Sequence, residues 1–187
     1  MVPDGFVRAL DVFEAVLAAT PPDRWESPSP CEGWHAIDVA GHVIAGLSVI
    51  EARAAGRPLP EADPDWREAA GEDPVATWRA ARARVMTLLG PEALARRIQL
   101  ALGLEITLSE WLERYPLELL VHTWDLAQAT GQVVVLEPDL VRAALETAKE
   151  FAPQGREAGM LGPERAVADD ADDQTRLLAV FGRSVGG

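Results

Sequence analysis

Apolar residues recur every three or four positions through most of the chain, the period of a helix with one buried face. After Asp4, a residue suited to a helix N-cap, Phe6, Leu10, Phe13 and Leu17 form the first such stripe, which stops before Pro21 and Pro22. The stretch PPDRWESPSPCEGW then reads as an ordered loop, with Trp25 and Trp34 pinning it to the core. A second helix is predicted over residues 35–55, closed by Gly56. Its positively polarised first turn suits Asp38, and His42 sits among Val39, Val43, Leu47 and Ile50 on the inward face. Residues 57–72 break the pattern with prolines and acids, leaving a surface connection with room for one helical turn.

Asp73 followed by Pro74 starts a third helix that carries Trp78, Val85, Leu88 and Leu89 to Gly90. Residues 91–106 are ambiguous, and QLALGLEI suits either a short extended segment or a hairpin. Thr107 with Glu110 forms a capping box ahead of a fourth helix over residues 109–130, about 33 Å long. Pro116 cannot donate its amide and leaves the carbonyl of Leu112 unpaired, so a kink is expected just ahead of Glu118. Gly131 closes this helix, and QVVVLE leads to Pro138, which opens a fifth helix reaching to about Phe151 with Leu140, Ala144, Leu145 and Ala148 inward. Residues 152–173 read as loop, ending in DDADD, and a last helix QTRLLAVFG docks Leu177, Leu178 and Phe181. The expected fold is all-α, a bundle of four main helices with additional C-terminal helices.

At 187 residues the chain can bury a core without disulfides and fits one domain over residues 1–187. A net charge of −13 argues against a nucleic-acid partner, which needs clustered Lys and Arg. No apolar run reaches the length of a membrane span and no leader pattern opens the chain, so a cytoplasmic protein without a membrane partner is expected. The single cysteine, Cys31, agrees with a reducing compartment. A homodimer is compatible with all of this.

The candidate chemistry lies in LELLVHTWDLAQATG, where Glu118 and His122 stand one helical turn apart on a shared face. His42 would complete a three-ligand set if the second and fourth helices are neighbours, leaving a fourth position for water or substrate. His and carboxylate ligands suit zinc, and also iron, nickel or manganese. The alternative is a surface pair, or a buried histidine satisfied by a carboxylate. His35 could add a fourth ligand, although its place at a helix start suits a capping or surface role. Asp125 could orient His122, and Trp124 could line a pocket. Cys31 reads as a small buried residue more than a nucleophile. Phosphate loops, nucleophile elbows and CxxC pairs are missing from the sequence.

Taken together, SPCEGWHAIDVAGHVIAG, LELLVHTWDLAQATG and the closing DDQTRLLAVFGR resemble the metal-binding family related to the N-terminal domain of mycothiol-dependent maleylpyruvate isomerase, in the DinB-like superfamily. The resemblance spans nearly the whole chain. It implies an up-down-down-up four-helix bundle and a divalent metal, zinc above others, held by His42, Glu118 and His122. It further implies mycothiol as a thiol cofactor and a small electrophile as substrate, in a transferase or isomerase reaction. Two departures shape the expectation. The chain ends at Gly187 without the isomerase's second domain, which argues for a reaction other than maleylpyruvate isomerisation, and His35 follows the GW where the family has a small polar residue. The competing expectations are a hydrolase using metal-bound water with Asp125 or Asp38 as base, and a non-catalytic metal-binding or stress-related module.

Overall fold

The computed structural model describes residues 1–60, 62, 64–100, 103–159 and 161–184. Parts of the expected 57–72 connection, the 91–106 stretch and the chain's end fall outside them. The helices are α1 (Asp4–Ala18), α2 (Ala36–Ala55), α3 (Trp66–Ala70), α4 (Pro74–Leu88), α5 (Pro91–Ala95), α6 (Leu108–Arg114), α7 (Pro116–Thr130), α8 (Pro138–Glu157) and α9 (Asp173–Val180). A short hairpin of β1 (Arg97–Gln99) and β2 (Glu105–Thr107) pairs Ile98 with Ile106 in antiparallel register, which resolves the ambiguous stretch in favour of its hairpin reading. No helix among the described residues is long and apolar enough to cross a membrane.

The all-α expectation holds. In the bundle, α1, α2, α4 and the α6–α7 pair surround a core of Phe6, Phe13, Leu47, Trp78, Leu112 and Leu119. A second cluster lies on the far side of α7, where Leu117, Leu120 and Val121 meet Leu140, Leu145, Leu177 and Val180 of α8 and α9. Covered from both sides, α7 is buried at every position from Leu119 to Ala127. A helix buried all round must pair every polar side chain it carries. On α7 those include His122 and Asp125.

Local sequence explains the ends of the elements. Asp73 caps α4 through Ala76 N at 3.0 Å, and Thr107 and Glu110 form the expected capping box on α6. At His35 the backbone amide donates to Asp38 Oδ2 at 2.8 Å, so His35 sits at the helix start rather than within it. Gly56 and Gly131 close α2 and α7 in the left-handed conformation.

Three expectations need correction. The fourth helix is interrupted rather than only kinked: α6 ends at Arg114, and α7 begins at Pro116, which has no amide hydrogen to continue the ladder. Leu88 of α4 faces outward, while Trp78, Val85 and Leu89 are buried. The fifth helix runs past Phe151 and through Pro153 to Glu157. There proline forfeits one backbone bond, and the turn beyond it is retained because Ala152 and Gly155 are buried and Arg156 Nη2 donates to Val180 O at 2.7 Å.

The backbone of α3 packs directly on α2 at Gly41. A Cβ added at Gly41 would lie 1.7 Å from the carbonyl oxygen of Trp66. On helix propensity alone, Gly41→Ala would stabilise α2 by about 1 kcal/mol. The overlap with backbone outweighs that gain, so Gly41→Ala should lower stability by about 1–3 kcal/mol or more. Thermal unfolding checks the sign, and a raised midpoint would be inconsistent with this packing.

Candidate metal centre

Packing of α2 against α7 brings three sequence-distant ligand groups to one point. His42 Nε2 lies 2.7 Å from Glu118 Oε1, and His122 Nε2 lies 3.2 Å from the same oxygen. One ligand atom from each of the three residues falls within 4.8 Å of the others. Ligand bonds of about 2 Å around one ion require separations of this order, and two imidazole nitrogens with a carboxylate oxygen are a fitting donor set for zinc. Glu118 and His122 are one turn apart, as their spacing predicts, and Glu118 occupies the first turn of α7, where the helix dipole favours a carboxylate.

The two histidines are held differently. His122 is only 11% exposed at its side chain, and its Nδ1 lies 3.1 Å from Asp125 Oδ2. That contact leaves Nε2 to face Glu118. His42 has no such partner, since its Nδ1 is buried without a hydrogen bond to any described residue. Aromatic rings fix it instead: Trp34 and Trp66 pack on it with centroids 5.1 and 5.0 Å away.

Asp125 is fully buried, and its charge is matched from the far end of the chain. Arg183 gives it two hydrogen bonds, Nε to Oδ1 at 3.0 Å and Nη2 to Oδ2 at 2.7 Å. Cys31 joins the same cluster, its Sγ 3.3 Å from Asp125 Oδ2 and 3.0 Å from Arg183 Nη2. Burial would raise the Asp125 carboxyl, but its bonds to His122 and Arg183 outweigh this and lower its pKa. Burial would likewise raise Glu118, yet the charge and hydrogen bonds of His122, then of His42, hold it below the usual carboxylate range. His122 shows the mirror image. Burial favours its neutral form, but Glu118 and then Asp125 and Cys31 raise its pKa well above the ordinary histidine value.

The open side of the site is at Glu118, whose side chain is 42% exposed, and at His42, 27% exposed. Two mainly apolar cavities meet there, sharing Gly46, Val49 and Glu118. One, of about 520 Å³, runs past His42 and Trp66 between α2 and the 57–72 connection. The other, of about 430 Å³, lies between α2, the α6–α7 break and α8.

The expected site residues thus separate clearly. His42, Glu118 and His122 come together, and Asp125 stands behind His122. His35 does not join them: its Nδ1 lies 3.3 Å from Asp38 Oδ2 and 3.4 Å from Arg67 Nη2. Trp124 is buried and lines neither cavity. Sequence reasoning missed Arg183 and Trp66. Trp66 sits in a connection read only as surface, and Arg183 closes the DDQTRLLAVFGR motif without a local sign that it reaches Asp125, 58 positions away.

Comparison with known proteins places this geometry in context. Two uncharacterized proteins of Mycobacterium tuberculosis, one from each of two strains, are 31% identical over 180 residues, covering 95% of this chain and 95% of each relative. Two crystal structures of the mycothiol-dependent maleylpyruvate isomerase, one of them a mutant, share its fold with a TM-score of 0.58 at 19% identity, covering 81% of this chain and 70% of theirs. The family model for the mycothiol maleylpyruvate isomerase N-terminal domain matches residues 6–127, a span that includes His42, Glu118 and His122. The chain belongs to the family of the mycothiol maleylpyruvate isomerase N-terminal domain.

Proposed function

We propose that the chain is a metal-dependent enzyme that uses a small-molecule thiol, of the mycothiol class, to transfer to or isomerise a small electrophile in the cytoplasm. The supporting observation is the convergence of His42, Glu118 and His122 at the junction of two apolar cavities. A divalent ion such as zinc, when bound there, would supply the charge that favours a thiolate over a thiol. The remaining roles fall to the chain itself. Asp125 holds the tautomer of His122, Arg183 keeps Asp125 ionised, Trp34 and Trp66 hold the ring of His42, and the apolar cavity walls exclude water from the reacting groups. A transferase reaction of the addition type joins sulfur to one carbon as a carbon–carbon π bond opens, and the thiol proton ends on the neighbouring carbon. An isomerase reaction adds sulfur, lets a single bond rotate and expels it.

The two other readings meet specific obstacles. A hydrolase needs a free base near the ion, but Asp125 is engaged by Arg183 and His122, and Asp38 by the His35 amide with Arg67 3.4 Å away. A non-catalytic site would be closed by a fourth protein ligand without access, whereas here two cavities reach Glu118.

Tag-free protein should carry about one divalent ion per chain, lost in His42→Ala and His122→Ala. Arg183→Met should keep the ligands but weaken metal affinity by about 10–100-fold. Absence of metal from the unmutated protein would overturn the proposal.

The raised pKa of His122 gives a pH signature. In the metal-free protein, that histidine stabilises the fold fully below its unfolded pKa of about 6.5, and the contribution fades as pH rises through the raised folded value. Metal must displace the same proton, so affinity increases up to about tenfold per pH unit below that value. The difference in unfolding midpoint between zinc-loaded and chelator-treated protein should therefore widen from pH 6 to pH 8. A constant or narrowing difference would exclude His122 as a ligand.

Electrophile consumption should require mycothiol. A screen in which the same compounds turn over equally without thiol would replace this mechanism by hydrolysis.

A further inference from the structure

A third cavity lies between α8, α9 and the 164–167 stretch, and none of His42, Glu118 and His122 lines it. Its volume is about 240 Å³. Sites for drug-sized ligands span roughly 300–1,000 Å³, so this one suits a smaller molecule. Its apolar floor is made by Leu145 and Ala152 of α8 and Val180 of α9, all buried in the second core cluster. The charge around that floor is unusual for this chain. Lys149, Arg156 and Arg176 line the cavity with a single carboxylate, Glu164. In the other described cavities each arginine meets a carboxylate in the same lining, Arg84 and Arg114 with Glu118 and Arg57 with Glu51. Here cations outnumber carboxylates, in a chain whose net charge is −13 and whose one lysine is Lys149.

The two arginines are held mainly by neutral partners. Arg156 donates to Gly162 O at 3.2 Å and Val180 O at 2.7 Å, with Glu164 at 3.3 Å. Arg176 donates to Ala171 O at 2.9 Å and to Asp169 O, and forms no ion pair with a described residue. A carbonyl fixes a guanidinium in place without cancelling its charge. Each guanidinium carries five N–H donors, and in both residues the Nη1 group makes no hydrogen bond to a described residue. The acidic run nearby does not neutralise them within the cavity: Asp172 caps α9 through Thr175 N, Asp173 lies 3.8 Å from Arg142, and no carboxylate of the run is in the lining. Lys149 is held by Glu146 at 2.7 Å, an exposed pair that costs little to rearrange. Donors fixed in advance lose little freedom when an anion arrives.

We propose that this cavity is a binding site for a small organic carboxylate, whose short apolar body rests on Leu145, Ala152 and Val180 and whose oxygens accept from Arg156 and Arg176. Both halves of the ligand are required. A neutral molecule leaves the excess positive charge unmatched, and an inorganic anion leaves the apolar floor in water. A cation is repelled. The site is separate from the metal centre and does not depend on the thiol chemistry proposed there.

Because a carboxylate can also meet a metal ion, the test reads position as well as affinity. Zinc-loaded full chain is titrated with benzoate, with its neutral counterpart benzamide, with the cation benzylamine and with inorganic phosphate, while methyl resonances are followed by NMR. Benzoate should saturate with a dissociation constant of about 1 mM or below, shift the methyls of Leu145 and Val180, and bind at least about tenfold more tightly than the other three. Added salt should weaken it. Arg176→Met should weaken benzoate by about tenfold or more and leave benzamide unchanged, and Arg176→Lys should recover part of the loss. Lys149→Met, which removes only an exposed pair, should weaken benzoate by up to about fivefold. His42→Ala should leave benzoate binding intact, whether or not the chain holds metal. Benzamide or phosphate binding as tightly as benzoate would overturn the proposal, as would unchanged affinity in both Arg176→Met and Lys149→Met. So would benzoate shifts confined to Ile44 and Val49 and lost in His42→Ala, which would put the carboxylate at the metal centre instead.

Discussion

The buried charge of Asp125 is the constraint from which the arrangement around the site follows. A carboxylate with no exposed surface is tolerable only if its partners are always present, and removing one partner from such a buried pair typically costs about 3–5 kcal/mol. One of those partners, Arg183, follows α9 near the chain's end. The C-terminal segment is therefore held to the central helix by more than apolar contact. Its Arg183 Nη1 also donates to Phe181 O at 2.7 Å, which fixes the guanidinium locally before it reaches Asp125. Closing the fold and orienting His122 are thus one event. The C-terminal turn can be satisfied only when Asp125 is in place, and Asp125 in place aims Nε2 of His122 at Glu118.

The interruption at Pro116 acts on the other end of the same helix. Because α7 starts afresh there, Glu118 lies in a first turn, where its charge is favoured, and not in the middle of one long helix. Tyr115, at the junction, has its ring packed edge-on against Phe6 at 5.9 Å and Trp111 at 5.2 Å, which directs the hydroxyl toward α2. One proline therefore positions a carboxylate and a phenol on either side of itself. Neither would have this relation to α2 in an uninterrupted helix of the same length.

How much of this is legible in sequence depends on the range of the contact. Glu118 and His122 are legible because an i, i+4 relation is fixed by helix geometry alone, and Asp125 follows three positions on for the same reason. His42 is legible as an inward histidine, but only the family pattern couples it to the other two. Trp66 is illegible, and Arg183 is legible only as the end of the DDQTRLLAVFGR motif and not in its role at Asp125, because each reaches the site by tertiary packing. The continuation of α8 past Phe151 was hidden by Pro153, a local breaker overridden by the burial of Ala152 and Gly155. His35 shows the converse case. Its seven-residue spacing from His42 suggests a shared face, yet the residue lies outside the helix and is drawn to Asp38 and Arg67.

The glycines of α2 mark where helix stability is given up for the site. Gly41 and Gly46 stand immediately before His42 and four residues after it, and each weakens a helix by roughly 0.5–1 kcal/mol relative to alanine. Neither has a positive φ, so conformation does not require them. What requires them is space. Gly41 admits the backbone of Trp66, whose ring then holds His42, and Gly46 admits the hydroxyl of Tyr115, at the point where both cavities meet Glu118. A histidine bracketed by two glycines in a helix that needs neither for its turns thus signals close approach on both sides. On that physical ground α2, and not α7 alone, determines what can reach the three converging ligands.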